Sequence, residues 1–239
     1  MSRLSLLCIL FVCIFQLSIG TTTLEVKRKA SKLRSEGDTL LVSGDAIGAL
    51  SKYAEAITLE PHEVKNYLKS YRANQRLKRL QASIKDLTLA IEHDIEKLEL
   101  ENSYLQRANL YLSLGRCFEA LNDFVSVLAI NPNHSEAIEN RERMIRCVDM
   151  VERAEKLMEA EDFHEADRLF TEAIDQSRSA APELKKKRAQ ARFHKGDHFE
   201  CIADAGEVAK LDRNDVEMVT LRGRAYLQLG DLEMALRHA

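Results

Sequence analysis

The chain has 239 residues, 45% of them apolar and 31% charged, with no Trp, 9 Gly and only 3 Pro. So few turn-formers exclude a collagen-like chain and argue against an all-β sandwich, while high charge beside ample Leu and Ala points to amphipathic helices. Lys and Arg number 35 against 38 Asp and Glu, a net charge of −3 that supplies no general pull toward nucleic acid.

The first element is a targeting segment. Arg3 precedes an apolar run from Leu4 to Ile19, broken only by Ser5, Gln16 and Ser18. Ser18 and Gly20 are small residues in the spacing that signal peptidase accepts, so residues 1–20 read as a cleavable secretory signal. The alternative is a signal anchor left uncleaved, for which the run is short as a membrane span. The expectation is therefore a lumenal chain of the secretory pathway, with no stable membrane insertion after cleavage. Cys117, Cys147 and Cys201 remain beyond the signal. Their odd number and wide spacing read as small buried hydrophobes rather than a disulfide framework. Asn133-His134-Ser135 is an N-glycosylation sequon in an expected exposed loop, which makes Asn133 a candidate acceptor.

Beyond the signal the chain repeats. Gly44-Asp45 is followed by Ala49, Tyr53, Ala56 and Pro61, and Gly115-Arg116 is followed at the same offsets by Ala120, Phe124, Val127 and Pro132. Gly196-Asp197 and Gly230-Asp231 lie 34 residues apart, and Ala166, Phe170 and Ala173 give the same register again. This pattern resembles the tetratricopeptide repeat, a helix–turn–helix unit of 34 residues. The resemblance places repeats at 30–63, 64–97, 101–134, 147–180, 182–215 and 216–239. The first three form a subdomain at 21–134, residues 135–146 form a linking helix, and the rest form a second subdomain at 147–239. The implied fold is all-α, a right-handed superhelix (α-solenoid) of about six helix–turn–helix repeats. Small residues let paired helices approach, an aromatic fills the gap, and the turn Gly ends the first helix in a conformation that other residues resist. The second repeat is degenerate, with Tyr71 and Lys78 where small residues are usual. The last repeat stops inside its second helix, which reads as a fragment or a truncated gene product.

No phosphate-binding Gly loop and no nucleophile elbow is present, so no catalysis and no cofactor are expected. His194, His198 and Cys201 have a superficially ligand-like spacing, but the helix break at Gly196-Asp197 separates them, and no metal is expected. Lys185-Lys186-Lys187-Arg188 reads as solvated surface rather than a nucleic-acid patch.

Tetratricopeptide solenoids bind peptides on the face built by the first helix of each repeat. One common subtype clamps a C-terminal carboxylate with Lys, Asn and Arg. Here Arg34, Asp38, Lys69, Asn102 and Gln106 do not match that clamp, and Asp38 would repel a carboxylate. The face instead carries Leu41, Val42, Leu68, Leu105 and Leu112 beside Arg72 and Asn109, a pattern expected to capture extended apolar peptide.

A signal peptide, three repeats, a helical link and further repeats resemble the DnaJ-type tetratricopeptide co-chaperones of the endoplasmic reticulum, also known as inhibitors of the interferon-induced protein kinase. The matching segments are residues 44–53, Lys85-Asp86-Leu87-Thr88 and Ala154-Glu155-Lys156-Leu157. The resemblance implies an endoplasmic-reticulum lumenal module that binds unfolded or misfolded clients and is linked to the unfolded protein response. In the family a C-terminal J domain then stimulates the chaperone BiP. No His-Pro-Asp triplet occurs in these residues, so BiP is a partner only if a J domain follows. The alternatives are an interaction scaffold or stress-kinase inhibitor with a specific folded partner, and an enzyme whose catalytic part lies beyond Ala239.

Overall fold

The computed structural model describes residues 3–177, 180–212 and 214–237, with side chains from Thr23 onward. The side chains of the expected signal segment, residues 1–20, lie outside the described residues. Among the described residues every element is a helix: α1 (Arg3–Val42), α2 (Ala46–Leu59), α3 (Val64–Arg76), α4 (Leu80–His93), α5 (Leu100–Leu114), α6 (Cys117–Ile130), α7 (Ser135–Glu159), α8 (Phe163–Ser177), α9 (Pro182–Lys195), α10 (His198–Leu211), α11 (Val216–Gln228) and α12 (Leu232–Arg237). They follow one another as antiparallel pairs, the all-α repeat architecture expected from the Gly register. The chain divides into two compact units, residues 1–103 and 104–239.

The turns inside the pairs explain that register. Gly44, Gly115, Gly196 and Gly230 all have positive φ, between 78° and 94°. Lys78 and Glu161 occupy the same register in the second and fourth pairs and hold the same left-handed conformation, at φ 56° and 60°. The turn is thus kept where its usual residue is lost. The residue after the turn starts the next helix. Asp45 accepts a bond from the Gly48 amide at 2.8 Å, and Asp231 accepts one from Met234 at 3.0 Å, satisfying amides that a helix start leaves open.

In unit 1 the core lies between the two helices of each pair. Ala49, Tyr53 and Ala56 are fully buried. A Cβ on Gly37 would sit 2.4 Å from the Tyr53 ring, so α1 passes α2 only because residue 37 has no side chain. The second pair exchanges bulk between the same positions: Tyr71 stands where Gly37 does, and the fully buried Leu87 stands where Tyr53 does. Such volume-conserving exchange keeps the packing density a core needs.

In unit 2 one cluster joins Ala108, Ala120, Phe124, Met144, Ala173 and Leu184, and another joins Ala189, Cys201, Ala205, Val208 and Met218. α7 is a single helix of 25 residues. Ion pairs sixteen residues apart tie the helices of a pair together. Arg107 grips Asp123 with two bonds of 2.8 Å, and Arg188 grips Asp204 at 2.8 and 2.7 Å. Unit 1 uses the same spacing with the charges reversed, Lys52 lying 3.2 Å from Glu36.

Two readings of the sequence are corrected here. Cys117 and Cys147 are not independent buried thiols: they form a disulfide, their Cα atoms 5.9 Å apart where the first turn of α6 meets α7. That separation lies inside the range a disulfide requires. Cys201 alone behaves as expected, a buried free thiol whose pKa burial pushes up to about 11. The basic run of α9 is not a solvated face. Lys185 pairs with Glu207, Lys186 with Asp215 at 2.6 Å, Lys187 with Glu155 and Arg188 with Asp204. Its charge is spent on neighbouring helices, and the Arg188 side chain is only 12% exposed.

Candidate peptide-binding face

The first helices of the opening pairs, α1 and α3, carry the candidate residues of unit 1. Arg34, Asp38 and Leu41 recur at helical spacing and share one side of α1. Asp38 is a junction. Its carboxylate accepts the Tyr53 hydroxyl at 2.9 Å and both oxygens accept Lys69 Nζ, at 2.7 and 2.6 Å. Burial, reinforced by the bond to Asp38, pushes the Tyr53 phenol far above its ordinary range. Arg34 donates to Glu60 at 2.8 Å and to Asn66 Oδ1 at 3.0 Å. Asn66 in turn donates to the carbonyls of Ala56 and Glu60. Arg34, Asp38 and Lys69, three of the positions compared with the carboxylate clamp, are therefore engaged in internal bonds that hold α3 against the first pair.

One turn beyond this junction the face changes character. Leu41 is half-buried against Ala49, Tyr53 and Ala73. Arg76 Nη1 donates to the Leu41 carbonyl at 3.4 Å, which fixes the α1–α3 approach at that level. Val42 is 83% exposed, a large apolar side chain held in water at the end of α1. Leu68 is half-buried and Arg72 exposed on one side of α3. Arg72 makes no ion pair among the described residues, so its charge is available to a ligand.

In unit 2 the candidates form a stripe along α5. Leu105 and Leu112 are half-buried against the first cluster. Asn109 Nδ2 donates to Glu136 Oε1 on α7 at 3.0 Å. Arg107, on the neighbouring side, lies 5.7 and 5.9 Å from the ring centres of Tyr104 and Tyr111 while it grips Asp123. These three candidates are thus more structural than the sequence alone indicates: two support the core and one anchors α7. Asn133 is exposed in the turn between α6 and α7.

Among the described residues no group of three His, Cys, Asp or Glu side chains could hold a metal ion. His194 stacks on Phe163 at 5.0 Å, and His198 lies against Phe193. Sequence reasoning missed the partnership of Asp38 with Lys69 and Tyr53. Residues 38 and 69 lie 31 apart, and only the packing of α3 on α1 brings them together.

No protein-family model matches the chain. The sequence is 29% identical over 205 residues to DnaJ homolog subfamily C member 3 of Rattus norvegicus, an alignment covering 84% of this chain and 40% of the relative. It is 27% identical over 169 residues to the DnaJ protein P58IPK homolog of Arabidopsis thaliana, covering 70% of this chain and 34% of that protein. The chain therefore spans well under half the length of the curated relatives it matches. The crystal structure of the P58(IPK) TPR domain superposes with a TM-score of 0.70 at 24% identity, over 87% of this chain and 58% of that one. The fold is that of tetratricopeptide repeats, and the chain is similar to the repeat-bearing portion of these DnaJ-type proteins. Among the described residues no helix is long and apolar enough to cross a membrane.

Proposed function

We propose that this chain is a non-catalytic client-binding module of the secretory pathway, taking up extended segments of unfolded or misfolded protein on the first-helix face of its opening repeats. The observation that carries this reading is the state of that face in unit 1. Asp38, Lys69 and Arg34 are neutralised internally, while Val42 is exposed at the end of α1 and Arg72 is exposed on α3. A face without a carboxylate clamp and with an exposed apolar side chain suits a chain segment read by its side chains rather than by its terminus. The sequence similarity to co-chaperones of the DnaJ type supports the same reading. A lumenal location would make Asn133 a glycan acceptor, and its exposed turn offers no steric barrier. Delivery to BiP would require a J domain.

The test is suppression of aggregation of a chemically denatured client by the chain from Thr21 onward. Leu105 is a poor probe because it packs on the core. Val42→Asp combined with Arg72→Glu alters exposed groups only, so the variant should fold, which circular dichroism checks. Suppression by the wild type and its loss in the double variant are the expected results. A well-folded wild type that leaves aggregation unchanged would overturn the proposal and favour a specific folded partner, such as a stress kinase.

A further inference from the structure

Unit 2 contains a concave site of its own. A cavity of about 460 Å³ opens where the first turn of α6, the middle of α7 and the start of α9 converge. That volume lies in the range of pockets that bind drug-sized groups. Its floor is apolar and firmly supported. Val148 and Val151 of α7 pack on the main cluster, Leu184 of α9 is 2% exposed, and Cys117 is fixed by its disulfide to Cys147. At its edge Phe118 is 60% exposed. An aromatic side chain held in water beside an apolar floor presents a ring with one side uncovered.

The rim is charged and unbalanced. Glu183 lies 4.0 Å from Arg116 and 3.7 Å from Lys186, and Glu155 pairs with Lys187, so both of these carboxylates are compensated. Glu119 and Glu152 also line the cavity and have no cationic partner among the described residues. The site therefore has an apolar centre and two uncompensated negative charges at its border. A complementary ligand places a large apolar side chain on the floor and positive charges at the border.

We infer that this cavity is a docking site for an extended peptide segment in which a large apolar residue is flanked by Lys or Arg. The inference concerns unit 2 alone and does not rest on client capture by unit 1. The rigid floor preorganises the site, and Glu119 and Glu152 select the flanking charge.

The experiment is fluorescence anisotropy of the chain from Thr21 onward with three short labelled peptides. One has a Phe-Leu centre flanked by lysines. The second has the same centre flanked by glutamates. The third keeps the lysines but has a Ser-Ser centre. The first should bind, the second at least about tenfold more weakly, and the third not measurably. Glu119→Gln with Glu152→Gln should weaken the first peptide about fivefold at low salt and flatten its salt dependence. Phe118→Ala should weaken it about tenfold. All three side chains are solvent-accessible, so these variants keep the fold. Val42→Asp with Arg72→Glu should leave this binding intact. Equal affinity for the first two peptides, no binding of any peptide, or binding lost in the Val42/Arg72 variant but kept in Phe118→Ala would each overturn the assignment. A mass that doubles with concentration and falls back to the monomer in Phe118→Ala would assign the surface to self-association instead.

Discussion

Replacing Lys78 by Gly should stabilise this protein, although it removes a side chain and adds none. Lys78 holds φ at 56° in the turn between α3 and α4. A left-handed conformation costs a residue with a Cβ about 1–2 kcal/mol. Gly adopts it freely but loses about 0.4–1 kcal/mol through the greater freedom of its unfolded chain. The difference predicts a gain of about 0.5–1 kcal/mol for Lys78→Gly. Glu161→Gly, at φ 60° in the other unit, should add a similar gain independently. Gly115→Ala supplies the opposite sign with a larger magnitude. Its φ is 78°, and the new Cβ would lie 3.0 Å from both Ala181 Cβ and Leu184 Cγ. Strain and crowding together should cost more than about 2 kcal/mol. Gly44→Ala, which meets open space at the same register, should cost only the strain. The assay is urea unfolding followed by circular dichroism, with amide exchange of α3 and α4 to localise the gain. A Lys78→Gly variant that unfolds at lower urea than wild type, or a Gly44→Ala variant as damaging as Gly115→Ala, would refute the reasoning.

Two further outcomes are expected. The Cys117–Cys147 bond spans 30 residues, for which chain entropy predicts a contribution of about 3.6 kcal/mol. Replacing both cysteines by Ala should lower the unfolding free energy of unit 2 by that order, and non-reducing peptide mapping should recover the linked pair; free thiols at both positions would contradict the pairing. The second outcome concerns acid. Burial pushes the Asp167 carboxyl up, but its bonds to Lys195 and Arg192 outweigh burial and hold it below the usual carboxylate range. Its contribution is therefore complete above the unfolded-state value and is lost as pH falls through the folded one. Asp167→Asn should cost about 2 kcal/mol at pH 7, and the melting temperatures of variant and wild type should begin to approach each other only as pH falls below about 4, meeting once it has passed the lowered folded-state value. A gap that persists into acid would show that Asp167 acts by shape alone.

Much of the fold was legible because the turn makes a demand that Gly meets best. Four glycines announce the register, and the small–aromatic–small spacing that follows announces the partner helix. Lys78 and Glu161 blur it because the turn tolerates them at a cost that no sequence pattern displays. The charge pairs sixteen residues apart, such as Arg107–Asp123 and Arg188–Asp204, lay open to the same periodic reading. The candidate site was harder to read. Whether Asp38 is free or spent depends on Lys69 arriving from the next pair, and whether Leu105 binds a ligand or supports a core depends on what packs beneath it. The disulfide escaped because an odd number of cysteines at wide spacing carries no pairing information. The basic run of α9 misled because a string of like charges looks solvated until its four carboxylate partners on α7, α10 and the start of α11 are in view.

The disulfide also bears on how the array comes apart. A solenoid that holds together through adjacent contacts unfolds like a zipper, fraying from either end one pair at a time. Cys117 stands at the first tooth of α6 and Cys147 midway along α7, a helix about 37 Å long that no turn interrupts. A covalent stitch between adjacent teeth is a stop for fraying that arrives from the α12 side. In an oxidising compartment the α6–α7 seam would be the last part of unit 2 to open, and a reducing one would let the zipper run through it.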